Sequence, residues 1–190
     1  MKDLQYYLNA AAKDRPARPG IILAIRMCLL ALKRLELDDP PGQKRRLVVI
    51  VETDRCLPDA VQLVTGCRVG NRTLKVQDTG KMAAVFVDVQ KDRALRLAAK
   101  ESANRKAIEL SPSLERDDAL SRAYGLLADH ELFREQWVRV GLAPEDLPGY
   151  HSPRVICSRC GEGIAFRREI QNEGRILCRT CAGGGYYELL

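Results

Sequence analysis

Aromatic residues and histidines are scarce in this chain of 190 residues. Phenylalanine, tryptophan and tyrosine together make up 5% of the sequence, and there are two histidines, His130 and His151. Proteins that bind single-stranded nucleic acid stack its bases on aromatic side chains, and a catalytic histidine needs a partner that orients its ring. Neither histidine lies in a motif that supplies such a partner. The scarcity argues against both classes, although 46% hydrophobic and 29% charged residues are ordinary for a folded protein.

Long apolar runs and an export signal are also missing. The longest apolar run, Ile21 to Leu32, is interrupted by Arg26 and is too short to cross a bilayer. Met1 to Lys13 has no secretory pattern. We therefore expect a cytoplasmic protein without a membrane segment, in which the seven cysteines are reduced or bound to metal. The sequence also has no repeat, no phosphate-binding glycine loop and no dinucleotide fingerprint.

Four of the cysteines have the spacing of a zinc site. Cys157-Ser-Arg-Cys160 is followed, after seventeen residues, by Cys178-Arg-Thr-Cys181. Two residues between paired cysteines allow a tight turn that directs both sulfurs at one tetrahedral ion. A redox dithiol uses a single pair beside a βαβ unit. The pattern therefore predicts one structural zinc ion bound by Cys157, Cys160, Cys178 and Cys181, with no open position for catalysis.

The zinc site defines a small C-terminal module. The segment between the cysteine pairs is predicted to form a hairpin that turns at Asn172 to Gly174, which is typical of a treble-clef or zinc-ribbon module. Because so few of its side chains are apolar, we expect this module to depend on its ion for folding. The prolines between residues 144 and 153 indicate a linker. The predicted domains are thus residues 1–143, the linker 144–153 and the zinc finger 154–190.

The first domain is predicted to be α+β, with helices packed on an antiparallel sheet in two layers. Its central element is the almost wholly apolar segment Ile21 to Leu37, which ends before Asp38-Asp39-Pro40-Pro41-Gly42. Leu47 to Val51 has the β-branched composition of a buried strand. The other predicted elements are the helices Lys2–Lys13, Pro58–Thr65 with Gly66 as its cap, Asp92–Ile108, Ser113–Ala128 and Glu131–Val138, and a hairpin of Thr73–Gln77 and Met82–Val89 around Asp78 to Lys81.

Three short motifs of this domain carry a family resemblance. They are Val51-Glu-Thr-Asp-Arg-Cys56-Leu-Pro-Asp59-Ala60, Thr65-Gly-Cys67 and Asp78-Thr-Gly-Lys81. In this order, from about Gly20 to Phe86, the sequence resembles the FmdE-like family of formylmethanofuran dehydrogenase proteins. The resemblance implies an α+β core domain, followed in some members by a cysteine-rich zinc finger. It also implies a metal or active site in the core, built from a His-Gly-His-x-Cys-Pro-Gly stretch and the aspartate-cysteine motif.

The chain departs from the family in one half of that core site. The corresponding stretch reads Asp14-Arg15-Pro16-Ala17-Arg18-Pro19-Gly20, which keeps Pro-Gly and lacks both histidines and the cysteine. Asp14 can bind a hard cation, whereas Pro16 offers no ligand atom and Arg18 repels a cation. A second metal ion in the core is therefore doubtful.

Candidate site residues nevertheless remain in the core: Cys56, Asp59 and Cys67, with Asp54 and Lys81 close in sequence. Two thiolates and a carboxylate form a possible zinc or iron set. The alternative is that Cys56 is a small packed residue and that Asp59 stabilises the positive end of the helix near Pro58. Cys28, in the apolar helix, is predicted to be a core residue.

Three functions follow as hypotheses. The resemblance implies an accessory or scaffolding role in anaerobic one-carbon metabolism of the methanogenesis type, in association with a molybdenum or tungsten oxidoreductase complex. Loss of the histidines favours a non-catalytic member. The second hypothesis is a metalloenzyme or redox protein that uses Cys56, Asp59 and Cys67.

The third hypothesis is a nucleic-acid-binding zinc protein. Its basis is the net charge of +6, the pI near 9.0 and a basic helix face of Arg93, Arg96 and Lys100. A zinc ion bound by four thiolates lowers the net charge by two, to about +4, so nucleic acid is not the expected partner. We expect a homodimer instead, because a small two-layer core leaves one face to be covered.

Overall fold

Gly141 marks the boundary between two units, Met1–Gly141 and Leu142–Leu190, in the computed structural model, which describes residues 2–12, 16–38 and 45–187. The boundary falls before the predicted linker, so residues 144–153 belong to the second unit. Asp14 and the residues Asp39 to Gly42, on which two sequence interpretations depend, lie outside the described residues. None of the described helices has the length and apolarity that crossing a membrane requires.

The first unit contains a mixed five-stranded sheet. Its strands, in chain order, are β1 (Leu47–Val51), β2 (Leu74–Val76), β3 (Ala83–Asp88), β4 (Arg93–Ala99) and β5 (Phe133–Val138). Their spatial order is β2-β1-β3-β4-β5, in which β1 and β2 are parallel and the other pairs are antiparallel. The predicted hairpin of β2 and β3 is therefore wrong, because β1 lies between these strands. The hairpin of this sheet joins β3 to β4.

Six helices accompany the sheet. They are α1 (Leu4–Ala12), α2 (Pro19–Leu35), α3 (Cys56–Thr65), α4 (Glu101–Leu110), α5 (Arg116–Leu126) and α6 (Asp129–Leu132). As predicted, α2 is the buried central helix; it packs against α1, α3, α5 and β4. Gly66 ends α3 in the left-handed conformation with φ of 71°, which confirms its role as the cap.

The core lies between α2, α3 and one face of the sheet. In register across three strands, Val49, Phe86 and Leu95 are all buried in this core. Alternate residues such as Val48 and Val87 point to the opposite face and are buried as well. Burial on both faces explains why β1 is a continuous apolar run, and the arrangement confirms the α+β class.

Two predicted helices contain strands. Residues 93–99 form β4 and helix α4 starts only at Glu101; α6 ends at Leu132 and β5 follows directly. Apolar residues at positions 94, 95, 97, 98 and 99 do not discriminate between the helical and the strand period, and pairing of β4 with both β3 and β5 decides in favour of the strand. Arg93 and Arg96 lie three positions apart on this strand and so point to opposite faces. The predicted basic helix face is therefore wrong.

The second unit consists of short hairpins. Strand β6 (Val155–Ile156) pairs with β7 (Gly163–Ile164), and β8 (Ile170–Asn172) pairs with β9 (Arg175–Leu177). Glu173 and Gly174 both have positive φ, at 49° and 74°, so the turn predicted at Asn172 to Gly174 is confirmed. A helical turn, Thr180–Gly184, follows β9. Asp146, in the predicted linker, forms an ion pair of 2.6 Å with Arg168.

Candidate metal centre and core site

The first cysteine pair lies in the turn between β6 and β7. The backbone N–H of Cys157 donates to Glu162 at 2.9 Å, and that of Gly161 donates to the Cys157 carbonyl at 3.0 Å. Gly161 takes a φ of 75°, which a residue with a side chain adopts only with strain. This tight turn places Cys157 and Cys160 on the same side of the module.

The second pair follows β9. The N–H of Cys178 donates to the Cys157 sulfur at 3.3 Å, and the N–H of Cys181 donates to the Cys178 sulfur at 3.4 Å. The N–H of Ser158 donates to the Ile176 carbonyl at 2.8 Å and holds β9 beside the first turn. Backbone hydrogen bonds therefore bring the two pairs together and orient their sulfur atoms.

The four sulfur atoms have the separation of a zinc site. All lie within 4.8 Å of one another, and the sulfurs of Cys160 and Cys178 are 3.9 Å apart. A tetrahedral zinc ion with bonds of about 2.3 Å to sulfur requires about 3.8 Å between its ligands. Among the described residues, these cysteines form the single group of three or more metal-ligating side chains within such a distance. The predicted ligand set is thus brought together.

Hydrogen bonds divide the acidities of these thiols. Backbone N–H groups of Cys160 and Cys178 lower the pKa of Cys157 to about 6. The thiol of Cys178, with burial, raises the pKa of Cys181 to about 12. The N–H of Glu162 acts to lower the pKa of Cys160, but burial and the neighbouring thiols outweigh it and raise that pKa. One thiolate is therefore ready for a cation, whereas other thiols must release protons when it binds.

In the core, the two family motifs meet at the starts of α2 and α3. A side chain added at Gly20 would place its Cβ 3.1 Å from the sulfur of Cys56. Glycine is therefore needed at this position, because the backbone of α2 lies directly against the thiol. The contact places the Pro-Gly stretch beside the aspartate-cysteine motif.

The core candidates are not gathered into one metal site. Cys56 is half-buried, whereas Asp54, Asp59 and Lys81 are exposed. Cys67 is 4% exposed, its thiol donates to the Leu47 carbonyl at 3.5 Å, and burial raises its pKa. Cys28 is fully buried as predicted, and burial followed by the proximity of Cys67 raises its pKa. In the described part of the chain, Cys56, Asp59 and Cys67 are not within ligand distance as a set.

A cavity of about 990 Å³ lies between α1, α2 and α3, beside this core site. Asp59 lines it, together with Arg18, Gln62 and Arg68. Sequence reasoning did not include Arg68, because only the fold brings the segment after α3 to the start of α2. The cavity offers one carboxylate and two guanidinium groups along walls that also include Ile21 and Leu63.

Comparison with known proteins identifies the first unit. The model of the family described as "FmdE, Molybdenum formylmethanofuran dehydrogenase operon" matches residues 18–137. The chain belongs to the FmdE family. A second model, the prokaryotic dksA/traR C4-type zinc finger, matches residues 149–187 and includes all four cysteines. The FmdE match runs through β5, well beyond the motifs that suggested it.

Individual relatives agree with this FmdE assignment. A crystal structure of an FmdE-like protein of tungsten formylmethanofuran dehydrogenase, from Syntrophus aciditrophicus, is 26% identical, with a TM-score of 0.62 over 98% of this chain and 96% of that one. A protein of Archaeoglobus fulgidus named "Probable S-adenosyl-L-methionine-binding protein" is 27% identical over 188 residues. That match covers 88% of this chain and 50% of the relative, so the chain spans half the length of the relative.

Proposed function

We propose that this chain is a non-catalytic accessory or scaffolding protein of anaerobic one-carbon metabolism. The observation that carries the proposal is the contact of Gly20 with Cys56, which puts Arg18 at the place of the family's core metal site. Arg18 stands where the family's motif has its cysteine. A guanidinium group keeps its charge at all physiological pH values and repels a metal cation. The core is thus better suited to binding another molecule than to metal chemistry.

The metabolic context comes from the comparisons. The family's description names the molybdenum formylmethanofuran dehydrogenase operon, and the structural neighbour's title names a tungsten dehydrogenase. Association with a molybdenum or tungsten oxidoreductase complex is therefore part of the proposal. Affinity purification of the tagged chain from its native host is expected to recover the catalytic components of such an enzyme. Recovery of the chain by itself, under conditions that preserve the complex, would contradict this part.

The zinc module has a structural role in this proposal. Four sulfur ligands within 4.8 Å of one another complete a tetrahedral shell, which leaves no position for substrate or water. We expect one zinc ion per chain. Metal analysis of the wild type beside Cys56→Ser provides the test: both proteins should contain one zinc ion, whereas loss of a second metal in Cys56→Ser would support a metalloenzyme with a core site.

A second candidate function is the binding of S-adenosyl-L-methionine. The relative from Archaeoglobus fulgidus carries this ligand in its name, and the cavity lined by Arg18, Asp59 and Arg68 has groups of both charges. A carboxylate there suits the sulfonium or the amino group of the ligand, and an arginine suits its carboxylate.

Equilibrium dialysis with labelled S-adenosyl-L-methionine tests this candidate. Asp59→Asn is expected to weaken binding by about tenfold, which corresponds to about 1.4 kcal/mol. Asp54→Asn provides the matched control, because Asp54 is an exposed carboxylate outside the lining of the cavity. No binding by the wild type, or equal effects of both substitutions, would exclude the cavity as the site.

Nucleic-acid binding has less support than these two functions. The second unit contains six arginines, balanced by six acidic residues. Of the residues in the predicted basic face, Arg96 binds Glu52 at 2.6 Å and Lys100 donates to the His130 carbonyl at 2.7 Å. These cations are engaged by the protein itself.

A further inference from the structure

Strand β5 lies at an open edge of the sheet. Of the described strands, only β4 pairs with it. Arg134, Gln136 and Trp137 are all exposed, and Trp137 is exposed by 58%. Each residue of an edge strand with outward N–H and C=O groups is a template for pairing with another strand.

This edge lacks the devices with which proteins prevent pairing. Phe133 to Val138 contains neither proline nor glycine, and the strand pairs residue for residue with β4 without a bulge. Glu135 is not a free charge, because Arg34 binds both its oxygens at 2.7 and 3.0 Å. Exposed charges and bulges normally protect such an edge. Arg134 is thus the one exposed charge on this strand.

The side chains of β5 are already held in place. Arg96 donates to the side chain of Gln136 at 2.9 Å, and the Arg93 guanidinium lies 5.8 Å from the centre of the Trp137 ring. Groups that are ordered before association lose less conformational entropy when they bind. The exposed tryptophan also provides the kind of aromatic anchor that interfaces favour.

The hydrogen-bond pattern of the sheet determines which peptide groups are available. The N–H of Lys100 donates to the Leu132 carbonyl at 2.8 Å, directly beyond the pairing of Ala99 with Phe133. In an antiparallel ladder, successive residues point their peptide groups alternately toward the neighbour and away from it. The peptide groups of Arg134, Gln136 and Val138 therefore face β4, whereas those of Phe133, Glu135 and Trp137 face outward.

We propose that β5 pairs with β5 of a second copy of this chain, antiparallel and centred on Gln136. In this register, Glu135 exchanges hydrogen bonds with Trp137 of the other copy, which uses the outward peptide groups. Gln136 faces its own counterpart, and Arg134 faces Val138. Residues of the same face lie opposite each other, so the two sheets join into one continuous sheet.

Charge selects this register among those that the strand allows. Centring the pair on Arg134 or on Glu135 would place two identical charges opposite each other, which is destabilising. Centring it on Trp137 would leave only part of β5 in the ladder. The register at Gln136 opposes no like charges and uses five residues of each strand. A strand that complements itself in this way favours a second copy as the partner, and gives the predicted homodimer a specific surface.

Light scattering over a concentration series tests the interface. Because the ladder is short, we expect a mass that rises with concentration from 21.3 kDa toward twice that value. Gln136→Lys places two ammonium groups opposite each other and should raise the dissociation constant by more than about tenfold. Gln62→Lys makes the same change on the exposed surface of α3 and should leave the dissociation constant unchanged. A wild type that stays monomeric at all concentrations, or a dimer insensitive to Gln136→Lys, would overturn the proposal.

A cysteine substitution tests the register. Residues opposite each other in a pair without hydrogen bonds have Cβ atoms about 4.5 to 5.5 Å apart, close to the reach of a disulfide. Gln136→Cys should therefore form a covalent dimer under mild oxidation, whereas the wild type and Gln62→Cys should not. Equal cross-linking in all three proteins, or none at position 136 in a proven dimer, would contradict the register. These outcomes are independent of the accessory function proposed above, which does not depend on the dimer.

Discussion

A thiol binds zinc only after it has lost its proton, so the acidities of the four cysteines set the pH dependence of the metal centre. Backbone N–H groups lower the pKa of Cys157 to about 6, whereas the pKa values of Cys160 and Cys181 are raised. At neutral pH, Cys157 is therefore already a thiolate, and at least two other thiols must release protons on metal binding. We predict that zinc affinity rises by about 100-fold or more for each unit of pH between 7 and 8.

Competition with a zinc-binding dye at several pH values measures this slope. Calorimetry in buffers with different ionisation enthalpies counts the released protons independently. A slope of tenfold per pH unit or less would mean that more than one thiol is ionised before zinc binds.

Asp88 is a second residue whose charge depends on its surroundings. Its side chain is 0% exposed, and Arg46 donates to its two oxygens at 3.0 and 2.7 Å. Burial raises the pKa of Asp88, but Arg46 and the N–H groups of Lys91 and Gln90 outweigh it and hold the pKa below the ordinary value of 3.8. Because the folded state favours the ionised form, this stabilisation is present above pH 4 and is lost as pH falls through the folded pKa.

We predict that Asp88→Asn lowers the free energy of unfolding by about 2 kcal/mol at pH 7. The difference from the wild type should narrow between pH 4 and pH 2. Urea unfolding followed by fluorescence measures it, because Trp137 is the single tryptophan and lies in the first unit. Asp92→Asn, in the same β3–β4 connection, should have little effect, since Asp92 is exposed and asparagine tolerates its φ of 47°. A constant difference down to pH 2 would exclude Asp88 as the source of the pH dependence.

At the scale of elements, Arg26 ties the central helix to the end of α5. It lies within α2 and donates to the carbonyls of Tyr124 at 2.9 Å and Leu127 at 2.5 Å, and to Asp129 at 2.5 Å. The last carbonyls of a helix have no partner within it, and Arg26 supplies one for the end of α5. The same residue interrupts the apolar run of α2, so it has a structural reason to be there.

We predict that Arg26→Met lowers the free energy of unfolding by about 3 kcal/mol, because it leaves these carbonyls and Asp129 without their partner. Lys33→Met is the matched control on the same helix; since Lys33 is exposed, it should change stability by less than about 0.5 kcal/mol. Denaturation followed by Trp137 fluorescence compares the two. Equal losses would mean that helix propensity or solubility, rather than the contacts of Arg26, determines the effect.

Elements specified by local signals were predictable from the sequence. The β-branched run gave β1 at its observed bounds, and Gly66 marked the end of α3. The partner of β2 was not predictable in this way, because β1 enters the sheet between β2 and β3 from more than twenty residues earlier in the chain. Likewise, β4 became a strand through pairing on both sides, which local periodicity does not contain.

The same distinction applies to the candidate sites. Two cysteine pairs with fixed spacing specify the metal centre locally, so all four ligands were predictable. The cavity beside Asp59 depends on the approach of three helices, and Arg68 entered it only through the fold. The family motifs gave the position of the core site, and the structure added the contact of Gly20 with Cys56.

At the scale of the whole molecule, the two units differ in what stabilises them. The first has a large apolar core around α2, whereas the second contributes only Cys157 and Ile164 to the buried hydrophobic residues among those described. Their charges differ too: the second unit is balanced, so the net charge of +6 belongs to the first. A unit with so little buried apolar surface needs its metal ion to compensate the entropy of folding.

We therefore predict that a chelator affects one unit only. Removal of zinc at neutral pH should make residues 154–187 sensitive to protease, with cleavage at the arginines around the cysteines. The midpoint of urea unfolding reported by Trp137 should stay unchanged, because Trp137 lies in the zinc-free unit. Cys178→Ser should reproduce both results without a chelator. A fall in the Trp137 midpoint on zinc removal would instead show that the metal centre stabilises the FmdE core, so that the two units unfold together.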